Sequence, residues 1–223
     1  MKTAHSSERG TPRYYPIALS IAGRRCLVVG GGRVAERKVE ALLAAGGQVC
    51  VVSPELTPGL EEHAASRDIE WRERGFADTD LDGCWVVVGA TSDPAVNEAV
   101  SRGALARGLL VNIVDEPDLC NFIVPASCEF GPVTLTISTS GTSPALARWL
   151  RERLEAEYGP ALGTFAELLG EARDEVKARV TGEGNRRAVW DAILDSRAMD
   201  LVRQGRIDEA RETIRACISS PSG

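Results

Sequence analysis

The sequence predicts an α/β fold, in which a domain with a parallel sheet is followed by a small α+β segment and a helical C-terminal tail. Short apolar runs, such as residues 26–29 and 85–90, are typical of strands buried on both faces, and they alternate with stretches of helical periodicity. From Pro160 onward the apolar positions recur at helical spacing only, which predicts the tail. We therefore expect three parts, at residues 14–117, 118–158 and 159–223.

The composition is that of a globular protein and argues against several other classes. Of the 223 residues, 43% are hydrophobic, yet no window reaches the roughly 18 apolar residues that span a bilayer. The net charge of -6 argues against nucleic acid as the main partner. Residues 1–13 are polar and lack the apolar core of a signal peptide, so we expect a frayed tail and a cytoplasmic protein with no membrane partner.

The cysteines and histidines restrict the chemistry that the chain can support. The cysteines form no C-x-x-C pair and mostly lie in apolar runs, so buried, reduced thiols are favoured over disulfides or a zinc site. They are Cys26, Cys50, Cys84, Cys120, Cys128 and Cys217. The two histidines, His5 and His63, lie in polar stretches, which limits any mechanism that needs a histidine base or a histidine metal cage. We therefore predict no metal site.

A glycine turn within residues 24–38 is the strongest local motif. The strand ends at three glycines and helical spacing follows, so that Gly30, Gly32 and Ala35 match the G-x-G-x-x-A fingerprint of dinucleotide-binding βαβ units. In such a unit the first glycine permits the tight turn, the second lets a pyrophosphate approach the backbone, and the alanine lets the helix pack on the strand. The motif predicts a Rossmann-type domain, and a glycine-rich turn without a ligand is the alternative.

The second predicted strand bears on the identity of the cofactor. We expect the first helix to end at Gly46 and Gly47, and residues 48–52 to form a strand closed by Ser53. The acid that binds ribose in such units lies about 20 residues after the fingerprint, at the end of this strand. Glu55 is the candidate. No arginine lies beside it to neutralise a 2′-phosphate, so we prefer NAD to NADP.

The rest of the sheet domain follows from the same patterns. The expected elements are a helix at 56–66, strands at 69–74 and 85–90, a helix at 95–107 and a strand at 109–114. Thr91, after the strand at 85–90, either faces the cofactor or only caps the next helix together with Asp93. The last strand delivers Asn112, Asp115 and Glu116 to the same edge of the sheet.

After Pro117 the pattern changes to β-rich segments at 121–126 and 133–138. A polar loop, residues 138–144, then leads into a helix, for which Thr142 or Ser143 suits the N-cap. The loop either holds an anion at the helix N-terminus or only caps the helix. The later helices are expected around residues 162–176, 189–194 and 207–218.

Three stretches, taken together and in this order, resemble one known family. They are residues 26–38 (CLVVGGGRVAERK), residues 112–117 with 121–126 (NIVDEP and NFIVPA), and residues 140–147 (SGTSPALA). The chain resembles the precorrin-2 dehydrogenase/sirohydrochlorin ferrochelatase family, the cofactor-binding half of siroheme synthase, from residue 14 to about residue 158. This combination is far more specific than the glycine fingerprint alone.

The resemblance implies NAD-dependent oxidation of precorrin-2 to sirohydrochlorin, and in many members the insertion of ferrous iron to give siroheme. It implies a homodimer whose second domain carries the dimer contact. It also implies that Arg33 and Val34 lie against the pyrophosphate, with Pro54 and Glu55 near the adenosine, and it assigns catalysis to Asp115. The substrate-binding residues that it implies are Asn121, Ser140, Gly141, Thr142 and Ser143.

A carboxylate at Asp115 suits this chemistry, because the oxidation removes a hydride and a proton, and the proton needs a base. The same group can take pyrrole protons when a metal enters the ring. The alternative is that Asp115 only caps the turn before Pro117. A rival from another class is a non-catalytic NAD-binding sensor, and a general dehydrogenase of hydroxy acids is disfavoured because the usual histidine base is missing.

Overall fold

The computed structural model describes residues 14–219, so the expected frayed tail at residues 1–13, with His5, lies outside the described residues. Within them the chain divides into two compact units, at residues 14–124 and 125–219, and each is described by itself. No helix in either described unit combines the length and the apolar character that a membrane span needs. All six cysteines are free thiols, and burial raises the pKa of Cys26 to about 11.

The first unit is built on a five-stranded parallel sheet, in the order β3-β2-β1-β4-β5. Its strands are β1 (Arg25–Val29), β2 (Gln48–Val52), β3 (Ile69–Arg72), β4 (Val86–Gly89) and β5 (Leu110–Ile113). Its helices are α1 (Arg33–Ala44), α2 (Pro58–Ala65) and α3 (Pro94–Ala106). The predicted α/β class, strands and helices of this unit are confirmed, with bounds that differ by a few residues at most.

The two faces of the sheet are covered by different helices, which explains why its strands are apolar throughout. On one face Cys26 and Val28 belong to a buried cluster with Ala35 and Val39 of α1. On the other face Leu27 and its neighbours belong to a cluster that includes residues of α3. Full burial of such a side chain contributes about 1.5–3 kcal/mol. The strand order reverses between β1 and β4, and the carboxyl ends of these strands therefore flank the crevice where ligands of such sheets bind.

The first unit continues beyond Pro117, where we had expected the cofactor domain to end. After a short 3-10 turn at Pro117–Leu119, the chain runs back along the outer edge of β5. The Asn112 Nδ2 group of β5 donates to the Phe122 carbonyl at 3.1 Å. Asn121 makes three further hydrogen bonds with residues 109–111. Residues 121–125 nevertheless form no regular strand, so that the β-rich segment expected at 121–126 is a strand only from Ala126 onward.

The second unit begins with an antiparallel hairpin and continues as helices. The hairpin pairs β6 (Ala126–Phe130) with β7 (Val133–Ile137). The helices are α4 (Pro144–Arg179), α5 (Glu183–Leu194), α6 (Ala198–Arg203) and α7 (Ile207–Ser219). The helical tail is confirmed, although the short helix α6 was not predicted. Within α4, Gly159 has φ 54 and ψ -163 and precedes Pro160, so the helix is broken there; the division expected at residue 158 stays a prediction.

Candidate functional site

Gly30 ends β1 in a conformation that only glycine adopts easily. Its φ is +122, and a Cβ at this position would collide with the carbonyl oxygen of Ala90, directly after β4. Its amide donates to the Val52 carbonyl at 3.0 Å. The turn thus lies between the carboxyl ends of β2 and β4, where there is no room for a side chain. This is the reason that the fingerprint has a glycine at this position.

Gly31 has a role that the sequence analysis did not assign. A Cβ on Gly31 would collide with the backbone carbonyl of Glu55 and would lie 2.7 Å from Ser53 Oγ. The Gly31 carbonyl also accepts a hydrogen bond from the Thr57 amide at 2.9 Å. The loop after β2 thus rests directly on the middle glycine of the turn. The triple glycine is the only signal in the sequence, and the fingerprint treats this position as variable.

Gly32 faces open space, as a phosphate-binding glycine should. It is the N-cap residue of α1, and a Cβ there would meet no described atom within 4 Å. The first N–H groups of a helix have no acceptor within the helix and favour an anion. Arg33 is exposed and Val34 is half-buried in this first turn. These residues fit a dinucleotide pyrophosphate, with an open approach to the helix N-terminus.

A cavity of about 510 Å³ lies beside the glycine turn, on the side of β2. It is lined by Gly31, Gly32, Ser53, Pro54, Glu55, Leu56 and Thr57. Ser53 is buried at the end of β2, and its carbonyl accepts a 3.0 Å hydrogen bond from Trp71 Nε1. Pro54 and the Glu55 side chain are exposed at the mouth. Binding of an adenosine in this cavity, and the contact of Glu55 with its ribose, stay predictions.

Thr57 and Glu36 join this loop to α1. The Thr57 hydroxyl donates to Glu36 Oε2 at 2.5 Å and also caps α2 by accepting from the Leu60 amide at 3.4 Å. Gly59 leaves room for the carboxylate, because a Cβ there would collide with Glu36 Oε1. The sequence analysis assigned no role to either Thr57 or Glu36, since their contact joins residues 21 positions apart.

Thr91 lies just after the end of β4. This position suits both of its proposed roles, contact with the cofactor and capping of the next helix. Its hydroxyl accepts from the Asp93 amide at 3.0 Å and lies within hydrogen-bond distance of Asn97 Oδ1, at 3.3 Å. Asp93 itself caps α3, accepting from the Ala95 amide at 2.9 Å. The hydroxyl of Thr91 is thus engaged in the turn, whereas its backbone amide lies beside Gly30. Any contact of Thr91 with a cofactor stays a prediction.

Asp115 follows β5 at the same edge of the sheet. It is exposed and has φ 62, in the left-handed region that residues with a Cβ rarely adopt. Its surroundings include Lys38 of α1: burial lowers the pKa of the Lys38 ammonium, the charge of Arg37 lowers it further, and the Asp115 carboxylate acts in the opposite direction. The structure therefore places Asp115 within electrostatic reach of the helix that begins at the glycine turn.

The side chain of Asn121 is hydrogen-bonded along the edge strand β5. Its Oδ1 accepts from the Val111 amide and its Nδ2 donates to the Leu109 carbonyl, both at 2.8 Å. These partners lie at the amino end of β5, whereas Asp115 follows the carboxyl end. The amide of Asn121 thus completes the outer edge of the sheet, and binding of a substrate by Asn121 stays a prediction.

The loop at residues 138–143 belongs to the second unit and is closed largely by its own hydrogen bonds. Ser143 caps α4, accepting from the Leu146 amide at 3.2 Å, as predicted. Thr139 Oγ1 accepts from the Ser143 amide at 3.1 Å, and the Thr139 carbonyl accepts from the Thr142 amide at 2.9 Å. Ser140 and Gly141 have positive φ angles of 51 and 82, which form the bend. Binding of an anion or a substrate by this loop stays a prediction.

Side chains that commonly hold metals are dispersed. Within residues 14–219, no three His, Cys, Asp or Glu side chains are grouped so that they could hold a metal ion.

Three family models match the chain in succession. A putative NAD(P)-binding domain matches residues 17–126, the central region of sirohaem biosynthesis proteins matches residues 131–157, and the sirohaem synthase dimerisation region matches residues 161–218. The first match covers the glycine turn, the cavity and Asp115. The other two cover the second strand of the hairpin and most of the helices of the second unit.

Individual relatives agree with these matches. The chain is 39% identical over 206 residues to a siroheme synthase of Nitrosococcus oceani, and 41% identical over 207 residues to one of Thioalkalivibrio sulfidiphilus. These alignments cover 92% and 93% of this chain but 44% and 42% of the relatives, so the chain spans less than half the length of these curated proteins. Among solved structures, "SirC, precorrin-2 dehydrogenase" is similar with a TM-score of 0.77 and 26% identity, over 92% of this chain and 98% of that one.

Proposed function

We propose that this chain, a member of the siroheme synthase family, oxidises precorrin-2 to sirohydrochlorin with NAD as the hydride acceptor. The observation that carries the proposal is the arrangement of the first unit: an open glycine turn at the N-terminus of α1, and an exposed carboxylate after β5, at one edge of one sheet. The likeness to a precorrin-2 dehydrogenase over nearly its whole length supports this reading.

The first part of the proposal concerns the cofactor. Gly32 and the first turn of α1 hold the pyrophosphate, and the cavity beside Ser53 holds the adenosine. NAD, when bound, supplies an acceptor for one hydride. Arg33 and Val34 line the approach to the pyrophosphate, and Glu55 lies at the mouth of the cavity, where a ribose hydroxyl would reach it.

The second part concerns the proton. Oxidation of precorrin-2 to sirohydrochlorin removes a hydride and a proton, so that a base must accept the proton as the hydride leaves. Asp115 is the group that we assign to this step, because its carboxylate is exposed beside the cofactor edge and can both accept and release a proton. The Asp115 carboxylate acts in turn on Lys38 of α1, whose pKa it raises against the larger lowering effect of burial.

The substrate carries many carboxylates, which calls for donors and cations. In the second unit the candidates are Ser140, Gly141, Thr142 and Ser143, at the N-terminus of α4, together with the exposed Arg148. Metal insertion would use the same substrate: ferrous iron, as a second substrate, would be held by the ring nitrogens while Asp115 takes the displaced protons.

We further propose a homodimer in the cytoplasm. The match of residues 161–218 to the sirohaem synthase dimerisation region supports self-association. The free thiols suit a reducing compartment. Light scattering of the purified protein should give twice the chain mass of 23.9 kDa.

The test mixes the purified protein with NAD and enzymatically made precorrin-2 and follows the absorbance of NADH. The proposal predicts NADH formation that depends on both substrates, and cobaltous or ferrous ion added afterwards tests the insertion step. A protein that binds NAD but forms no NADH would instead support the rival reading, a non-catalytic NAD sensor.

A further inference from the structure

The turn that carries Asp115 is only weakly closed by its own backbone. Residues 113–116 leave β5 at its exposed edge, and Asp115 holds a left-handed φ of 62 without being glycine. Such a conformation is unfavourable for a residue with a Cβ unless the surroundings determine it. The two ends of the turn are held by backbone hydrogen bonds, from the Val114 amide to the Gly89 carbonyl at 2.9 Å and from the Leu119 amide to the Glu116 carbonyl at 3.0 Å. Across Asp115 itself, however, the bond from the Glu116 amide to the Ile113 carbonyl is long, at 3.3 Å.

The thiol of Cys120 makes contacts on both sides of Asp115. Its Sγ accepts from the Ile113 amide at 3.1 Å. It also lies 3.2 Å from the Ile113 carbonyl and 3.2 Å from the Glu116 carbonyl, so its single hydrogen can be donated to either oxygen. Asn112 Nδ2 approaches it at 3.7 Å. One side chain therefore connects the residues that precede Asp115 with the residue that follows it.

Cys120 is itself anchored to the body of the unit. Its amide donates to the Pro117 carbonyl at 3.1 Å, within the 3-10 turn. Ser101 of α3, which is buried, donates to the carbonyl of the adjacent Leu119 at 2.7 Å. Burial raises the pKa of the Cys120 thiol, so the thiol keeps the proton that it donates at neutral pH. The position of the sulfur is thus held by the 3-10 turn and, through Ser101, by α3.

We propose that Cys120 is a positioning residue, whose thiol holds the turn at residues 113–116 so that Asp115 presents its carboxylate in the reactive direction. The inference rests on the proposed function, since it concerns the rate at which Asp115 acts. Cys120 touches neither substrate nor cofactor in this account. Its effect should therefore appear in kcat and not in the affinity for NAD.

The test compares Cys120→Ala, Cys120→Ser and the control Cys217→Ala in the full chain. Cys217 is a half-buried thiol of α7, in the second unit, with no part in the proposed site. Measurements are kcat and KM for NADH formation from precorrin-2, the Kd for NAD, and hydrogen exchange of the Ile113 amide by NMR. The exchange measurement needs no substrate, so it also reports on a variant without activity.

We expect Cys120→Ala to lower kcat by about ten- to a hundredfold, since a shift of about 1 Å in a reacting group has an effect of that order. Its Kd for NAD should stay within about twofold of the parent, and the Ile113 amide should exchange faster. Cys120→Ser, which keeps a donor and an acceptor, should restore most of the rate. Cys217→Ala should behave as the parent.

An active parent together with a Cys120→Ala variant of parental kcat overturns this inference alone. Equal losses of kcat and NAD affinity in the alanine and serine variants also overturn it, because they indicate general damage to the fold. If the parent forms no NADH, the proposed function fails and the inference fails with it. If Cys120→Ala does not fold, the serine variant decides: a parental rate with protected Ile113 supports the inference, and a rate as low as that of Asp115→Asn contradicts it.

Discussion

The hydroxyl of Thr57 donates a 2.5 Å hydrogen bond to the carboxylate of Glu36, and this contact fastens the loop after β2 to the first turn of α1. The contact therefore connects the residues that would hold the adenosine of the cofactor with those that would hold its pyrophosphate. The loop lines the cavity proposed for the adenosine, and α1 begins at the turn proposed for the pyrophosphate. A hydrogen bond to a carboxylate of this kind contributes about 1.5–3 kcal/mol, and it adds to the bond from the Thr57 amide to the Gly31 carbonyl.

Removing that hydrogen bond should weaken the binding of NAD. Thr57→Val keeps the shape of the side chain and loses the donor, so we expect the Kd for NAD to rise by about tenfold, equivalent to about 1.4 kcal/mol. Titration calorimetry measures the effect. Glu40→Gln, on the exposed face of the same helix, is the matched control and should bind as the parent does. An unchanged Kd in Thr57→Val would show that the contact does not position the cavity.

A methyl group on the middle glycine should displace the loop. Gly31→Ala places its Cβ against the Glu55 carbonyl, a backbone atom that cannot turn aside. We expect the free energy of unfolding in urea to fall by about 1–3 kcal/mol, as for other overpacked positions, together with a loss of NAD affinity. The control is Gly75→Ala, where a Cβ meets no described atom within 4 Å. If both variants are equally stable, the loop is free to move away from the turn.

Asp80 should make the stability of the first unit sensitive to acid. Its buried carboxylate accepts hydrogen bonds from Arg74 at 2.6 and 2.8 Å, from the Ala77 amide at 2.9 Å and from Arg72 at 2.5 Å. The Arg74 guanidinium, followed by these other donors, holds the pKa of Asp80 well below its ordinary value, although burial acts against them. The folded state therefore binds fewer protons than the unfolded state.

This depressed pKa fixes the direction of the pH dependence. The stability contributed by Asp80 is fully present above the unfolded pKa of about 4, and it is lost as the pH falls from there toward the lower folded value. Asp80→Asn should lower the free energy of unfolding at neutral pH by about 3 kcal/mol and should flatten the acid dependence. Urea unfolding at several pH values tests this. Asp82→Asn, at an exposed carboxylate, should leave the slope unchanged.

The parts of the fold that the sequence predicts are those set by local patterns. Strands such as β1 and β4 are buried on both faces, so every residue is apolar and the run is visible in the sequence. Gly30 after β1 and Gly46 after α1 have positive φ angles, and a glycine at such a position marks the end of the element in the sequence. The N-cap of α4 was narrowed to Thr142 or Ser143 because hydroxyl groups before a proline are typical of helix starts.

The parts that the sequence could not predict depend on contacts between distant residues. Nothing near Gly31 indicates that the Glu55 carbonyl rests on it, and nothing near Asn121 indicates that its amide completes the edge of β5. The contacts of Cys120 escaped notice because a thiol in an apolar stretch reads as a core residue.

The most direct test of the central claim compares Asp115→Asn with the parent in the NADH assay with precorrin-2. The amide has almost the same size but cannot accept the proton, so we predict that kcat falls by a factor of about 10² or more, while the Kd for NAD and the free energy of unfolding stay near the parental values. Glu98→Gln, at an exposed carboxylate of α3, should retain full activity. A folded Asp115→Asn protein that binds NAD and oxidises precorrin-2 at the parental rate would contradict the account.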